Sequence, residues 1–238
     1  MKKLLLATVL SMAATAVYAE PTAMLKVKGT LTNAGCVPEI SNGGLADFGE
    51  VGLDSLSSTA AYQAGHKDVT FTIKCQSATR VGWTIKDDRA DSNAGKNKTS
   101  SEFHVDNGTA NGAQASGNYQ LNGVGKTSAG ENIGAYSVAT YLTSVTADGA
   151  TAQPMAASMY TGGTISSRSW VNMWASGIIM NDGTDVMTVA KTGERAPMDF
   201  TTAAFPLIIA LAIAPGKDLT LTDKTDLDGQ STITLVYL

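Results

Sequence analysis

Apolar and polar residues alternate with a period of two in several short stretches, and the most regular of these comes last. Ser231-Thr-Ile-Thr-Leu-Val-Tyr237-Leu238 puts Ile233, Leu235 and Tyr237 on one face and predicts a strand that runs to the final residues. Terminal residues usually fray, so a strand this regular is either tied into a sheet for folding or reserved for a partner. Val69-Thr-Phe-Thr-Ile-Lys-Cys75 alternates more strictly and turns Val69, Phe71, Ile73 and Cys75 toward a core. Leu25-Lys-Val-Lys-Gly-Thr-Leu31 repeats the pattern and leads into Asn33-Ala-Gly-Cys36, which reads as a strand followed by a turn. Val81-Gly-Trp-Thr-Ile85 and residues 133–142 are further strands, the first ended by a polar turn over 86–92, and Asp148-Gly149 marks the turn after the second. Phe205-Pro-Leu-Ile-Ile-Ala-Leu-Ala-Ile213 is almost continuously apolar and suits a strand buried on both faces.

Between these stretches the pattern weakens. Residues 91–130 are mostly Gly, Asn, Ser, Ala and Lys, touched by Phe103, Val105 and Tyr119, and read as loop. Residues 150–197 suggest one helical turn over 154–160 and two strands, near Trp170 and near Val186. About seven strands with Gly, Asn and Asp punctuation predict an all-β sandwich. The expected layout is one domain over 31–238, with 20–30 as a short N-terminal segment carrying the first strand.

The first residues change the compartment. Lys2 and Lys3 precede an apolar run over 4–16 and then Val17-Tyr18-Ala19, the layout of an export signal cleaved before Glu20. That run is short for a membrane span and no later stretch equals it, so the exported chain is expected to be soluble in the periplasm. Losing Lys2 and Lys3 takes the basic count from 17 to 15 against 21 acidic residues, a net charge of −6, which leaves no nucleic-acid footprint. Both cysteines, Cys36 and Cys75, lie in the exported part, where an oxidising compartment lets thiols pair. A bridge closing a loop of roughly 40 residues is worth about 4 kcal/mol. Two buried free thiols are the alternative.

Candidate chemistry is sparse. His66 and His104 are the only histidines, both in polar surroundings, and no Gly-x-Ser-x-Gly elbow, His-Glu-x-x-His pair or phosphate loop occurs. No catalytic residue, cofactor or metal is expected. Asp226-Leu-Asp-Gly229 resembles part of a calcium loop, but Lys224 and Leu235 fall where the first and twelfth ligands belong. Met155, Met159, Met173, Met180 and Met187 lack the paired spacing of a copper site and are expected to fill core, as are Trp170 and Trp174. Asn97-Lys-Thr99 and Asn107-Gly-Thr109 match a short glycosylation pattern that carries little weight.

Three motifs in order behind an export signal resemble the pilin-like subunits of the chaperone-usher pathway. They are Gly29-Thr-Leu-Thr-Asn-Ala-Gly-Cys36, the cysteine closing Phe71-Thr-Ile-Lys-Cys75, and the penultimate tyrosine of Ile233-Thr-Leu-Val-Tyr237-Leu238. Ser41-Asn-Gly-Gly44, Lys86-Asp-Asp-Arg89, Lys191-Thr-Gly-Glu194 and Phe205-Pro-Leu-Ile208 resemble the larger GltF-like branch, whose members are called fimbrial-like chiefly by similarity. The resemblance implies an immunoglobulin-like sandwich lacking its seventh strand and a non-enzymatic fimbrial subunit. It implies as partners a periplasmic PapD-like chaperone, an outer-membrane usher and other fimbrial subunits, with assembly into a cell-surface fimbrium. It further implies a Cys36–Cys75 disulfide, a groove or chaperone interface formed by Ile233, Leu235 and Tyr237, and the Leu238 carboxylate as anchor. In such a groove backbone bonds supply affinity and alternating apolar side chains supply selectivity.

The pattern departs from ordinary pilins at the N-terminus. Only residues 20–24 separate the expected cleavage site from the first strand, and Pro21 interrupts them, whereas a donor strand needs a longer run free of proline. Ala23, Leu25 and Val27 begin an alternating run that could donate, but it is also the expected first strand and cannot serve as both. A self-sufficient periplasmic β-sandwich that binds a ligand or protein without fibre assembly is the alternative. A small outer-membrane barrel usually ends on an aromatic residue, and here Leu238 follows Tyr237.

Overall fold

The alternating stretches form two antiparallel sheets packed face to face. The computed structural model describes residues 35–158, 169–221 and 224–238, which lie in one unit spanning 34–238. The expected leader and the segment holding Ala23, Leu25 and Val27 lie outside the described residues. Among the described residues the strands are β1 (Cys36–Ile40), β2 (Tyr62–Thr79), β3 (Val81–Asp87), β4 (Leu121–Gly123), β5 (Gly134–Thr140) and β6 (Thr146–Ala147). They continue with β7 (Ala150–Thr151), β8 (Gln153–Ser158), β9 (Val171–Asn172), β10 (Asp185–Ala190), β11 (Phe200–Ile213) and β12 (Ser231–Tyr237). One sheet has the order β1-β2-β11-β5-β4, with β6 on β11 and β7 on β6, and the other has the order β12-β3-β10-β8-β9. The chain is an all-β sandwich with more strands among the described residues than the expected seven; β2 and β11 run longer than their expected stretches, at 18 and 14 residues, while β6, β7 and β9 have 2 residues each.

β11 is central and buried on both sides, as its uninterrupted apolar run predicts. Its Phe205, Leu207 and Leu211 face the inter-sheet core with Phe71 and Ile73 of β2 and Trp83 of β3. Phe71 and Trp83 have ring centroids 4.7 Å apart, and Trp83 meets Phe205 edge-on at 5.3 Å. Ile208, Ala210 and Ala212 of β11 face the other way and belong to a second apolar cluster with Phe103, Val105, Ala115 and Leu121. Small residues on that face allow close cover. Gly134 at the start of β5 sits so near the Ala212 carbonyl that a Cβ there would collide with it.

The 91–130 stretch therefore corrects its reading as plain loop. It is irregular but folded over the outer face of the first sheet, and its Phe103, Val105, Ala115 and Leu121 are fully or almost fully buried. Side-chain amides replace the missing ladder: Asn93 Nδ2 donates to Leu121 O at 2.6 Å and Asn181 Nδ2 to the same carbonyl at 2.6 Å. Gly123 N donates to Asp87 Oδ2 at 2.9 Å, tying this cover to the end of β3.

Residues 153–158 are a strand rather than the expected helical turn. Met173 N donates to Pro154 O at 3.3 Å, so the Pro154 nitrogen faces the short β9 side and the β8–β10 ladder keeps its bonds. The hairpin between β6 and β7 turns on Asp148 and Gly149, with φ of 49° and 80°, as the Asp-Gly pair predicts. Cys36 begins β1 instead of ending a turn, directly opposite Cys75 on β2, and the two form a disulfide. With a sequence separation of 39, the bridge is worth about 4 kcal/mol.

Candidate functional site

β12 is an edge strand, paired with β3 alone among the described residues. The register sets Ser231 opposite Asp87 and Tyr237 opposite Val81. Just beyond its two ends Asp88 N donates to Gln230 O at 3.0 Å and Leu238 N to Arg80 O at 3.1 Å. Residues of an antiparallel pair alternate between bonded and non-bonded positions, so 232, 234 and 236 bond to β3. Ser231, Ile233, Leu235 and Tyr237 consequently aim their N–H and C=O groups out of the sheet edge. The same parity turns Ile233 and Leu235 inward against the main core.

The residues expected to line a groove thus fall into two kinds. Ile233 lines an apolar cavity, whereas Leu235 packs further along the strand, opposite Trp83. Tyr237 is 53 % exposed, and its hydroxyl accepts a hydrogen bond from Cys36 N at 2.9 Å, closing that end of the sandwich over β1. Leu238 is half-buried and continues the β12–β3 ladder.

The cavity, of about 1200 Å³, opens between the sheets at the other end of β12. Its walls include Val69 of β2, Leu207 and Leu211 of β11, Val138 of β5, Ile85 of β3 and Ile233. The opening has a structural cause. β1 pairs with residues 71–75 of β2, and among the described residues no strand flanks that side of β2 over 62–70. Residues 44–53 and 224–231 contribute to the rim instead. Residues 44–53 carry no two-residue period in the sequence, only a glycine-punctuated run with apolar residues at irregular spacing.

One end of the cavity is polar. Tyr136 Oη and Ser231 Oγ are 2.6 Å apart, Ser231 Oγ donates to Asn122 Oδ1 at 3.2 Å, and Asn122 Nδ2 donates to Tyr136 O at 3.1 Å. Burial pushes the Tyr136 phenol well above its ordinary value, so it stays protonated. Burial also raises the Asp87 carboxyl, against the lowering effect of the Gly123 and Arg89 N–H groups and with help from Asp88 and Asp91. Tyr136, Ser231 and Asn122 satisfy one another, an arrangement suited to fixing the shape of the cavity end.

The remaining candidates lie elsewhere. His66 is exposed on β2, and His104 holds Ser100 O through Nδ1 at 2.7 Å. Among the described residues no cluster of His, Cys, Asp and Glu could hold a metal ion. Asp228 pairs with Arg89 at 2.8 Å and Asp226 with Lys224 at 3.6 Å, as turn residues. Met155 and Met187 are core, whereas Trp174 is 60 % exposed, which corrects its expected burial; Trp170 is half-buried and Met159 lies outside the described residues.

Residues 25–137 match a family described as "Protein of unknown function (DUF1120)". The chain is 32 % identical over 217 residues to the uncharacterized protein YhcF of Escherichia coli strain K12, covering 90 % of each. It is 26 % identical over 229 residues to Protein GltF of the same organism, covering 90 % of this chain and 87 % of that one. No solved structure shows a significant match. With similarity to YhcF extending along nine-tenths of both chains, this protein belongs to the DUF1120 family, in the branch that includes YhcF and GltF.

Proposed function

We propose that the chain is a strand-accepting, fimbrial-like subunit of the chaperone-usher type, exported to the periplasm and completed there by a β-strand laid along β12. One observation carries the reading: backbone and side chain coincide on the same residues. Ile233 and Leu235 point N–H and C=O groups out of the sheet edge and their side chains into the apolar interior, beside a cavity of about 1200 Å³. An incoming strand would extend the ladder with its backbone and fill the cavity with alternate apolar side chains. A periplasmic PapD-like chaperone would supply that strand first. A neighbouring fimbrial subunit, delivered through an outer-membrane usher, would replace it. The role needs no catalytic step, and the protonated Tyr136 with its Ser231 and Asn122 partners serves to shape the groove.

The test is periplasmic co-expression with a PapD-like chaperone of the same cell, followed by hydrogen exchange on the purified complex. The chaperone is expected to raise the folded, protease-resistant yield and to slow exchange at the amides of Ser231, Ile233, Leu235 and Tyr237. The amides of 232, 234 and 236, already bonded to β3, should change little. Full yield without the chaperone, together with unchanged exchange at the outward amides, would favour a self-sufficient β-sandwich binding protein and sink the proposal.

A further inference from the structure

Residues 45–56 link β1 to β2 and lie where, among the described residues, no strand flanks the β1 side of β2 over 62–70. Leu45, Phe48, Val51, Leu53 and Leu56 all line the cavity. Phe48, Val51 and Leu56 are half-buried against the main core, while Leu45 and Leu53 are 65 % and 52 % exposed. The backbone hydrogen bonds of this stretch are short turns: Leu45 N to Asn42 O, Ser55 N to Gly52 O and Leu56 N to Leu53 O. Its two roots are pinned, by Thr70 N donating to Ser41 Oγ at 2.8 Å and Gly216 N donating to Ser57 O at 2.8 Å. Between the roots side chains do the holding, including Phe48 beneath Lys67 Nζ at 5.9 Å. Asn42, Gly43 and Gly44 take φ of 55°, 63° and 81° in succession, a left-handed corner that sets the stretch off from β1.

Resting on the strand-accepting reading, we propose that residues 45–56 are a strap that covers the groove in the unpartnered chain and is displaced when a strand docks on β12. The strap supplies apolar side chains but no ladder. Its apolar positions at 45, 48, 51, 53 and 56 lack the period of two, so it cannot follow the edge of β12 as a strand does. A docking strand offers both the side chains and the backbone bonds, and so replaces the strap. Because both roots stay pinned, the strap returns when the strand leaves. The groove is thereby shielded from nonspecific apolar contacts without being sealed.

The test has two arms, each with its own readout. In the first, hydroxyl-radical footprinting compares the free chain with its complex with the PapD-like chaperone. Oxidation at Phe48 and Leu56 should rise about threefold on docking, while Phe71 and Phe103 stay protected. In the second, the Phe48→Ala/Val51→Ala variant is compared with the unchanged chain, without chaperone, for fluorescence of an added apolar dye. Dye fluorescence should rise about threefold as the groove is uncovered. Unchanged dye binding by the folded variant overturns the strap as a cover, whatever the chaperone does. Phe48 remaining protected in a complex whose β12 amides are slowed overturns displacement while leaving the strand-accepting reading intact. Absence of any complex overturns both. The footprint needs no substitution, so a variant that fails to fold leaves the proposal decided by the first arm.

Discussion

Two irregular segments cover apolar sheet surface in this protein, and they do so differently. Residues 91–130 cover the outer face of the first sheet with Phe103, Val105 and Leu121 at 1 %, 0 % and 0 % exposure, and buried amides bond the backbone on which that cover rests. Residues 45–56 cover the opening between the sheets with half-buried side chains and turn-local backbone bonds. The first is an extension of the core. On the proposed reading the second is a cover that can be exchanged, so that one chain would seal one face and keep another for a partner.

The largest effect expected from breaking this contrast is on the sealed side. Phe103→Ala should cost about 4 kcal/mol in urea unfolding, because it empties a fully enclosed site. Phe48→Ala should cost about 1 kcal/mol, since its ring is only half withdrawn from water. Equal losses at the two positions would erase the distinction. Next in size is the disulfide. Replacing Cys36 and Cys75 together by Ser should forfeit most of the bridge's worth of about 4 kcal/mol and loosen β1, widening the opening that the strap covers. Smaller again is Asn181→Ala, expected to cost about 2 kcal/mol because the Leu121 and Asn118 carbonyls lose a buried donor. Its signature is faster hydrogen exchange across 118–123 with residues 45–56 unchanged.

The same contrast explains how much was legible in the sequence. β2 and β12 could be read because half-buried strands alternate, β3 because Val81, Trp83 and Ile85 alternate with Gly82 and Thr84 although both faces are buried, and β11 because a strand covered on both faces need not alternate. The cover over 91–130 reads as loop because its burial depends on Asn side chains bonding to backbone, and Asn is also the residue of exposed turns. Asn97 and Asn107, with φ of 59° and 50°, play that second part within the same segment. The edge set Ile233, Leu235 and Tyr237 was legible as one face of a strand, but its unequal surroundings were not. Ile233 meets the cavity because β1 stops at Ile40, a tertiary fact that no local pattern carries. The Tyr136, Ser231 and Asn122 contacts join the neighbouring strands β4 and β5 to β12, far along the chain, and leave no spacing to find.

The smallest effect tests the joint between the sealed cover and the β12 side through Asp87. Burial raises its carboxyl above the ordinary value of 3.8, outweighing the N–H groups of Gly123 and Arg89, and the nearby Asp88 and Asp91 add to the rise. The native chain therefore holds this proton more tightly than the unfolded chain does. By linkage, the contribution of Asp87 to stability is fully present below pH 4 or so and falls as pH rises through the raised native value. Asp87→Asn removes the titration while keeping an oxygen that can accept from Gly123 N. The stability difference between the unchanged chain and the Asp87→Asn chain should shift against the unchanged chain as pH rises from about 4, then level off once the native carboxyl has ionised. Urea unfolding of both chains across that range measures it. A difference that stays flat with pH, or moves in the opposite direction, would mean that hydrogen bonds from Gly123 and Arg89 outweigh burial, making the β3 end of the cover an anion-stabilising turn.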